Sequence, residues 1–388
     1  MFAKVKHSSR IELSKSAMSK NLDFVRGIVG SHPEIALVVK ANAYGHGVPQ
    51  VISMAESAGI RLFATATSFE AQSVLEHKSK ESRVMIMGIL YDSDIPWAIE
   101  NDIEFFVFDI ERLRIVVKVA KEIGKPARVH LEVETGGNRT GLDLHDLPEA
   151  MKLLKSEAKH IEFVALCSHL AGAESLATHF RIRRQIDVFN EIRKRLAKSK
   201  FIPQKAHLAS SAAALAMPET VLDLVRVGTA AYGIWPSMDI YNLHLAKVRK
   251  EKDDSLTRVF SWMTDVVHVK HVKRDEFVGY GTSYQASRNM TVAVIPIGYA
   301  NGYPREMSNR GNVLIKGRSA PVVGVVNMNM FMVDVTNIPN VAVNDEVVLI
   351  GKQGRNVISL HSFSEFSSAL NNEFVSRLPH VIPRTVVR

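Results

Sequence analysis

At 388 residues the chain is long enough for two domains with good cores, and its charged (23%) and hydrophobic (46%) fractions are those of an ordinary globular protein. No apolar stretch approaches membrane-spanning length, so neither a disordered nor a membrane-spanning chain is expected. The net charge of +9 raises nucleic acid as a partner, but the Lys and Arg are spread along the chain, and solvated helix faces such as Arg181-Ile182-Arg183-Arg184 account for them without a basic stripe.

Met1 to His7 lack the apolar core of a signal peptide, and the single cysteine, Cys167, excludes an internal disulfide framework. Together they predict a cytoplasmic protein.

Ile11-Glu12-Leu13 alternates like a strand. The run Ile35 to Val39 is continuously apolar and reads as a buried strand that ends in Lys40-Ala41-Asn42-Ala43-Tyr44-Gly45-His46-Gly47. A lysine held at the end of a rigid strand beside apolar surroundings loses its proton more easily, and a neutral amine is what Schiff-base chemistry with an aldehyde cofactor needs. Taken alone, a strand-terminal lysine that snorkels to water is the plainer reading.

Further strand-like runs fall at 61–65, 83–87, 103–108, 127–133, 161–167, 205–209 and 222–227, with helical segments between them. Ser68 to Lys78 is one such helix, and Ile110 to Ile123, stopped by Gly124 and Pro126, is another. Eight strands alternating with helices predict an α/β fold with an N-terminal (β/α)8 TIM-like barrel over 12–245. The charge-rich stretch from Ala246 to Thr257 marks a junction. Beyond it, short runs of Val, Ile, Met and Thr broken by Gly, Pro and Asn (259–272, 291–297, 311–315, 321–325, 331–335, 346–350) predict a mostly β domain over 246–388, joined by the N-terminal strand 1–11.

Chemistry in a parallel barrel sits at the carboxyl ends of its strands. Those ends carry Lys40, then Glu132, Glu134 and Arg139 after the fifth strand, and His169 after the sixth. His207 and Ser211 follow the seventh, and Arg226, Gly228 and Thr229 the eighth. Phosphate is often held after strands seven and eight, although a helix N-cap is the plainer role for Ser211 alone. Arg226 lies in an apolar strand, so its guanidinium needs a ring nitrogen, carboxylate or carbonyl to receive it. Cys167 and His169 share a strand face, but the cysteine sits a layer deeper and reads as a buried filler. His268 and His271 point to opposite faces of a strand, and no other grouping has metal-ligand spacing.

These motifs together resemble the alanine racemase family, fold-type III enzymes that use pyridoxal phosphate (PLP). The resemblance runs over nearly the whole chain: Val38 to Gly47; Glu134-Thr135-Gly136 to Arg139-Thr140-Gly141; Ser168-His169; His207 to Ala213; Val225 to Gly228; Val278 to Tyr284; Ile295 to Arg305; and Val326 to Asn329.

The resemblance implies a homodimeric PLP-dependent racemase that interconverts L- and D-alanine by a two-base mechanism and supplies D-alanine for peptidoglycan. Lys40 would hold the cofactor and act on one face of the substrate, and Tyr280 would be the other acid/base, reaching the barrel mouth of the partner subunit. Tyr44, Ser211, Gly228 and Thr229 would hold the phosphate. His169 would pack on the cofactor ring, His207 would link to Arg226, and Arg226 would face the pyridine nitrogen. Arg139 would sit by the phenolic oxygen of the cofactor, while Tyr299 and Met328 would line the substrate entry. No metal, nucleic acid or membrane is implied.

Four positions depart from the family pattern. Glu132 stands where many members have a carbamylated lysine, and it is expected to pair directly with Arg139. Gly137 replaces a bulkier residue, Asn329 a usual aspartate and Val386 a phosphate-binding tyrosine; Gly137 and Asn329 leave strict alanine specificity open. The rival readings are a racemase for serine or basic amino acids, a decarboxylase of the same fold and a non-catalytic PLP-binding protein. Arg226 argues against the decarboxylase, and the second domain against the non-catalytic protein.

Overall fold

A computed structural model describes residues 5–199, 201–252, 255–364 and 371–388. Met1 to Lys4 of the expected first strand, and Asp253 and Asp254 of the expected junction, lie outside the described residues. The chain forms two compact units, one of Ser16–Ala43 and Val51–Thr257, the other of Met1–Lys15, Tyr44–Gln50 and Arg258–Arg388. The division therefore differs from 12–245 and 246–388: residues 12–15 and 44–50 go with the strand-rich unit, and the junction falls after Thr257.

The first unit is the barrel. Its strands, in order, are Glu34–Val38, Leu62–Thr67, Arg83–Ile89, Glu104–Val107, Ala127–Glu132, Ile161–Cys167, Lys205–His207 and Leu224–Val227. All are parallel; the first seven pair in sequence order, and the eighth pairs with the first. Between seventh and eighth, Asp223 N donates to Ala206 O (3.1 Å) and Arg226 N to Ala209 O (3.0 Å), which closes the ring.

Strands covered on both faces need apolar residues at nearly every position, and the first and fourth are buried almost throughout. The helices outside present apolar stripes. In Ile110–Ile123 the buried residues Leu113, Val116, Val117 and Ala120 recur at helical spacing. Asp109 caps that helix by accepting from Arg112 N, and Gly124 ends it at φ +74°.

The second unit is built on a ten-stranded sheet. Ser9–Ser14 sits inside it, antiparallel to Phe260–Asp265 and parallel to Arg384–Val387. The expected run 259–272 is two strands rather than one, Phe260–Asp265 and His268–Val272. The backbone turns a corner between them, with Val266 N bonded to Asp345 O and Val267 N to Val294 O. Fully buried Trp262, Tyr303, Phe331 and Phe363 fill the core of this unit. Among the described residues no helix is long and apolar enough to cross a membrane.

Candidate active site

The first barrel strand delivers its lysine through an uncommon turn. Ala41, Asn42, Ala43 and Tyr44 all have φ between +51° and +53°, so the chain after Lys40 coils left-handed without a glycine. Each such residue costs roughly 1–2 kcal/mol, and strain of this kind persists only where the surroundings over-determine it. Here Ala43 N donates to Val39 O (2.8 Å) and Ala43 is fully buried. Ala41 N donates to Glu70 Oε1 (2.7 Å), whose other oxygen receives Ala66 N (2.8 Å). Glu70 thus straps the lysine turn to the end of the second strand.

Lys40 is exposed. Even so, crowding by the barrel rim, and secondly the charge of Arg139, push its amine below the ordinary lysine range, with Glu70 opposing.

The loop after the fifth strand is wound around Glu134. Its carboxylate accepts from the backbone N–H groups of Gly136, Gly137 (2.6 Å) and Asn138 (2.9 Å), and the chain returns with Leu142 N bonded to Glu132 O (2.8 Å). Gly141 makes that return possible: it has φ +130°, and a Cβ there would stand 2.6 Å from Glu134 N. Arg139 projects from this loop and is exposed.

Glu132 lies inside the barrel, 3% exposed. The expected direct pair with Arg139 is not formed: no ion pair within 4 Å joins them among the described residues, and Glu132 Oε2 is buried without a partner. The reason is position, since the loop carries Arg139 out to solvent while Glu132 stays on the strand. Burial raises the pKa of Glu132, and a Thr140 hydrogen bond, then Arg226 and Arg139, pull the other way.

His169 follows the sixth strand. Burial, then the charges of Arg226, Arg139 and Lys40, lower its pKa to about 3, so it is neutral. A residue that sequence reasoning missed fixes this corner. Gln185, 1% exposed on the helix His179–Lys198, accepts from Ala171 N (2.9 Å) and donates to His169 O (3.1 Å) and Thr135 Oγ1 (3.1 Å). Its only sequence signal is a polar side chain on the otherwise apolar inner stripe Ile182, Ile186, Phe189. Cys167 is fully buried, and burial drives its thiol well above the usual value, leaving it inert.

After the seventh strand the cap is Ser210, whose hydroxyl faces Ala213 N (3.5 Å), so Ser211 is not the N-cap. Ser211 Oγ instead accepts from Gly228 N (2.9 Å), tying together the loops that follow strands seven and eight. Thr229 opens the next turn, half-buried.

Arg226, 5% exposed, is received on one edge only. One terminal nitrogen meets His207 Nδ1; the other donates to Ser168 O (2.8 Å) and Leu208 O (3.0 Å). Among the described residues Nε–H has no acceptor.

The strand-rich unit carries the remaining candidates. Tyr44 begins its 44–50 segment, with Tyr44 O bonded to His46 Nδ1 (2.8 Å). Tyr280 is 80% exposed between Gly279 and Gly281, both at left-handed φ, on a loop closed by Val278 N to Tyr284 O (3.0 Å). Tyr299 and Met328 stand on adjoining loops, joined by Tyr299 N to Asn327 O (3.1 Å) and Ala300 N to Met328 O (3.0 Å), and both are exposed. One group that the spacing argument passed over, exposed Asp143 and His145 with half-buried Asp146, has ligand atoms within 4.8 Å of one another; solvated acidic clusters of this kind are common without an ion.

Known proteins resemble the chain along its length. The family profile "Alanine racemase, N-terminal domain" matches residues 13–236 and "Alanine racemase, C-terminal domain" residues 259–386. Alanine racemase 1 of Caldanaerobacter subterraneus subsp. tengcongensis is 32% identical over 377 residues, 97% of this chain and 94% of that one. The alanine racemase of Halothermothrix orenii is 34% identical over 374 residues, 96% and 95% of the two chains. Among solved structures, the alanine racemase from D-cycloserine producing Streptomyces lavendulae superposes with a TM-score of 0.88 at 29% identity, covering 99% of this chain and 98% of that one. That from Bacillus anthracis with bound L-Ala-P gives 0.87 at 28%, covering 100% and 96%.

Proposed function

The chain belongs to the alanine racemase family, and from that membership we propose that it interconverts L- and D-alanine with PLP, as a homodimer whose active sites are shared between subunits. Supply of D-alanine for peptidoglycan is the role this reading suggests. The observation that carries it is Lys40, an amine with a lowered pKa held on a strained, buttressed turn at the barrel mouth.

The residues present fit the cofactor. Arg226 offers an unclaimed Nε–H beside neutral His169, which suits an unprotonated ring nitrogen that can only accept. Ser211, Gly228 and Thr229 stand together after strands seven and eight, where barrels commonly hold phosphate. Tyr44 would add a phenol to that set. Bound PLP supplies an aldehyde that takes up the substrate amine and an electron-withdrawing ring that acidifies its α-C–H.

Racemisation needs a proton removed from one face of the α-carbon and another delivered to the opposite face, so two groups must flank it. Lys40 Nζ, eased toward neutrality, takes or returns the proton on one face. The phenol of Tyr280 of the partner subunit does so on the other, its exposed loop being suited to reach a neighbour. A phenol with pKa near 10 needs a nearby cation to act as a base at neutral pH, and Arg139 is the cation assigned to it here. Tyr299 and Met328 of the partner subunit narrow the entry.

A racemase of broader specificity is the second reading, and Gly137 favours it. A Cβ there would meet nothing closer than 3.9 Å, so the site has room that a bulkier residue would fill. The test is purified protein with PLP and L-alanine, L-serine or L-lysine, the D-product being measured by chiral chromatography. D-Alanine is expected to form fastest, and Lys40→Ala to abolish it. No D-product from any of the three would reject the proposal.

A further inference from the structure

Barrel interiors are usually filled by branched apolar side chains. Here a chain of buried polar groups runs through the barrel instead. Glu104 opens the fourth strand at its amino end, and His130 lies in the fifth; both are fully buried, as is His207 at the end of the seventh. His130 Nε2 is 3.0 Å from Glu104 Oε2, His130 Nδ1 is 2.8 Å from His207 Nε2, and His207 Nδ1 meets Arg226. Phe106 stacks on His130 and covers His207, which keeps water away from the joint.

Hydrogen-bond chemistry gives this chain one direction. A guanidinium has only donors, so His207 Nδ1 must accept and its proton must sit on Nε2. That proton points at His130 Nδ1, which must therefore be bare, leaving the His130 proton on Nε2, where it meets Glu104. The far end agrees. At Oε1 Glu104 accepts from Arg83 and forms an ion pair with Arg128 (3.2 Å); against the burial that raises its pKa, the His130 bond and these two cations hold it ionised, its pKa lowered to about 2. Burial lowers the pKa of both imidazoles, so both are neutral.

We propose that Glu104 and His130 are positioning residues for Arg226: a one-way relay, Arg226 to His207 to His130 to Glu104, holds the guanidinium with its Nε–H directed at the ring nitrogen of the cofactor. The inference rests on the PLP reading above and extends it to the far end of the barrel. His207 can present a lone pair to Arg226 only in one tautomer, and the charge of Glu104 selects it. With His207 so set and the second terminal nitrogen held by Ser168 O and Leu208 O, the guanidinium plane has no freedom left.

Glu104→Gln is the discriminating variant. Its amide oxygen is drawn to the Oε1 position, where Arg83 donates and the Arg128 cation lies 3.2 Å away, so its –NH2 faces His130 Nε2. His130 must then carry its proton on Nδ1, pointing at the His207 Nε2–H, and the relay breaks by donor meeting donor. His130→Gln preserves the polarity, since its amide oxygen can accept from His207 and its –NH2 can donate to Glu104.

Two readouts test this. Nitrogen-15 spectra of the histidine rings, recorded on the full-length protein without added PLP, are expected to show His130 and His207 neutral and protonated at Nε2, with His130 switching to Nδ1 in Glu104→Gln. PLP titration followed by absorbance is expected to show about tenfold weaker binding in Glu104→Gln, the scale of one buried group losing its partner. Its kcat falls with KM for L-alanine little changed, and His130→Gln stays close to wild type. A charged or Nδ1-protonated ring in the wild-type protein would overturn the proposal, as would wild-type PLP affinity in Glu104→Gln. Should Glu104→Gln not fold, His130→Leu against His130→Gln carries the same comparison. Failure of the wild-type protein to bind PLP at all would sink the cofactor reading separately, because the ring tautomers are read without it.

Discussion

At the residue scale, the site is set by polar side chains placed where burial makes each hydrogen bond count. Arg226 shows this: with five donors and nothing to accept, it needs every neighbour to be an acceptor and is matched by only one tautomer of His207. Glu132 shows the converse, a buried carboxylate with one idle oxygen that forms no ion pair within 4 Å among the described residues, although Arg226 and Arg139 are near enough to favour its charge. Gln185 is the least visible of these residues in sequence, yet it joins the loops after strands five and six. Gln185→Ala is expected to lower stability by roughly 1–3 kcal/mol by stranding Ala171 N and His169 O, read as a fall in the denaturation midpoint. Its kcat should fall as well, because His169 loses its anchor; unchanged stability and turnover would show that the corner is held elsewhere.

At the scale of elements, boundaries follow local chemistry and positions follow packing. The helix Ile110–Ile123 is legible because Asp109, the apolar spacing and Gly124 agree with one another. The left-handed turn after Lys40 is not legible, since Ala-Asn-Ala-Tyr has no glycine and nothing local favours four residues at positive φ. Its support is remote in sequence, in the Glu70 carboxylate. Ala41→Gly removes one strained residue, so the expected outcome is a thermal midpoint at least as high as wild type, within the roughly 1–2 kcal/mol such a residue costs, but slower turnover from a looser lysine. A lower midpoint together with full activity would contradict this account of the turn.

At the scale of the whole molecule, the two units carry different halves of the proposed chemistry: Lys40, His169 and Arg226 lie in one, Tyr280, Tyr299 and Met328 in the other. Sharing of sites between subunits makes a sharp prediction. Lys40→Ala and Tyr280→Phe chains, each inactive as homodimers, should regain activity when co-expressed with separate tags and isolated as mixed dimers. Such a dimer has one site with both lesions and one with neither. Mixed dimers as inactive as their parents would place both residues of a site in one chain.

Much of the fold was decided by sequence alone. Buried parallel strands must be apolar throughout, helices on a barrel must carry an apolar stripe, and the two periods alternate so regularly from Glu34 to Val227 that eight strands can be counted. Lys40, His169, His207 and Arg226 were visible because each is a polar residue at the end of, or inside, an apolar strand. Tertiary structure decided what distance in sequence hides: the fit of Ser9–Ser14 beside Arg384–Val387, the capture of Tyr44–Gln50 by the strand-rich unit, the separation of Glu132 from Arg139, and the line from Glu104 to Arg226. Glu104 and Arg226 are more than a hundred residues apart, and nothing in either local pattern carries the direction of a hydrogen bond. That direction exists only once barrel closure brings the four side chains into line and excludes the water that would otherwise satisfy each of them separately.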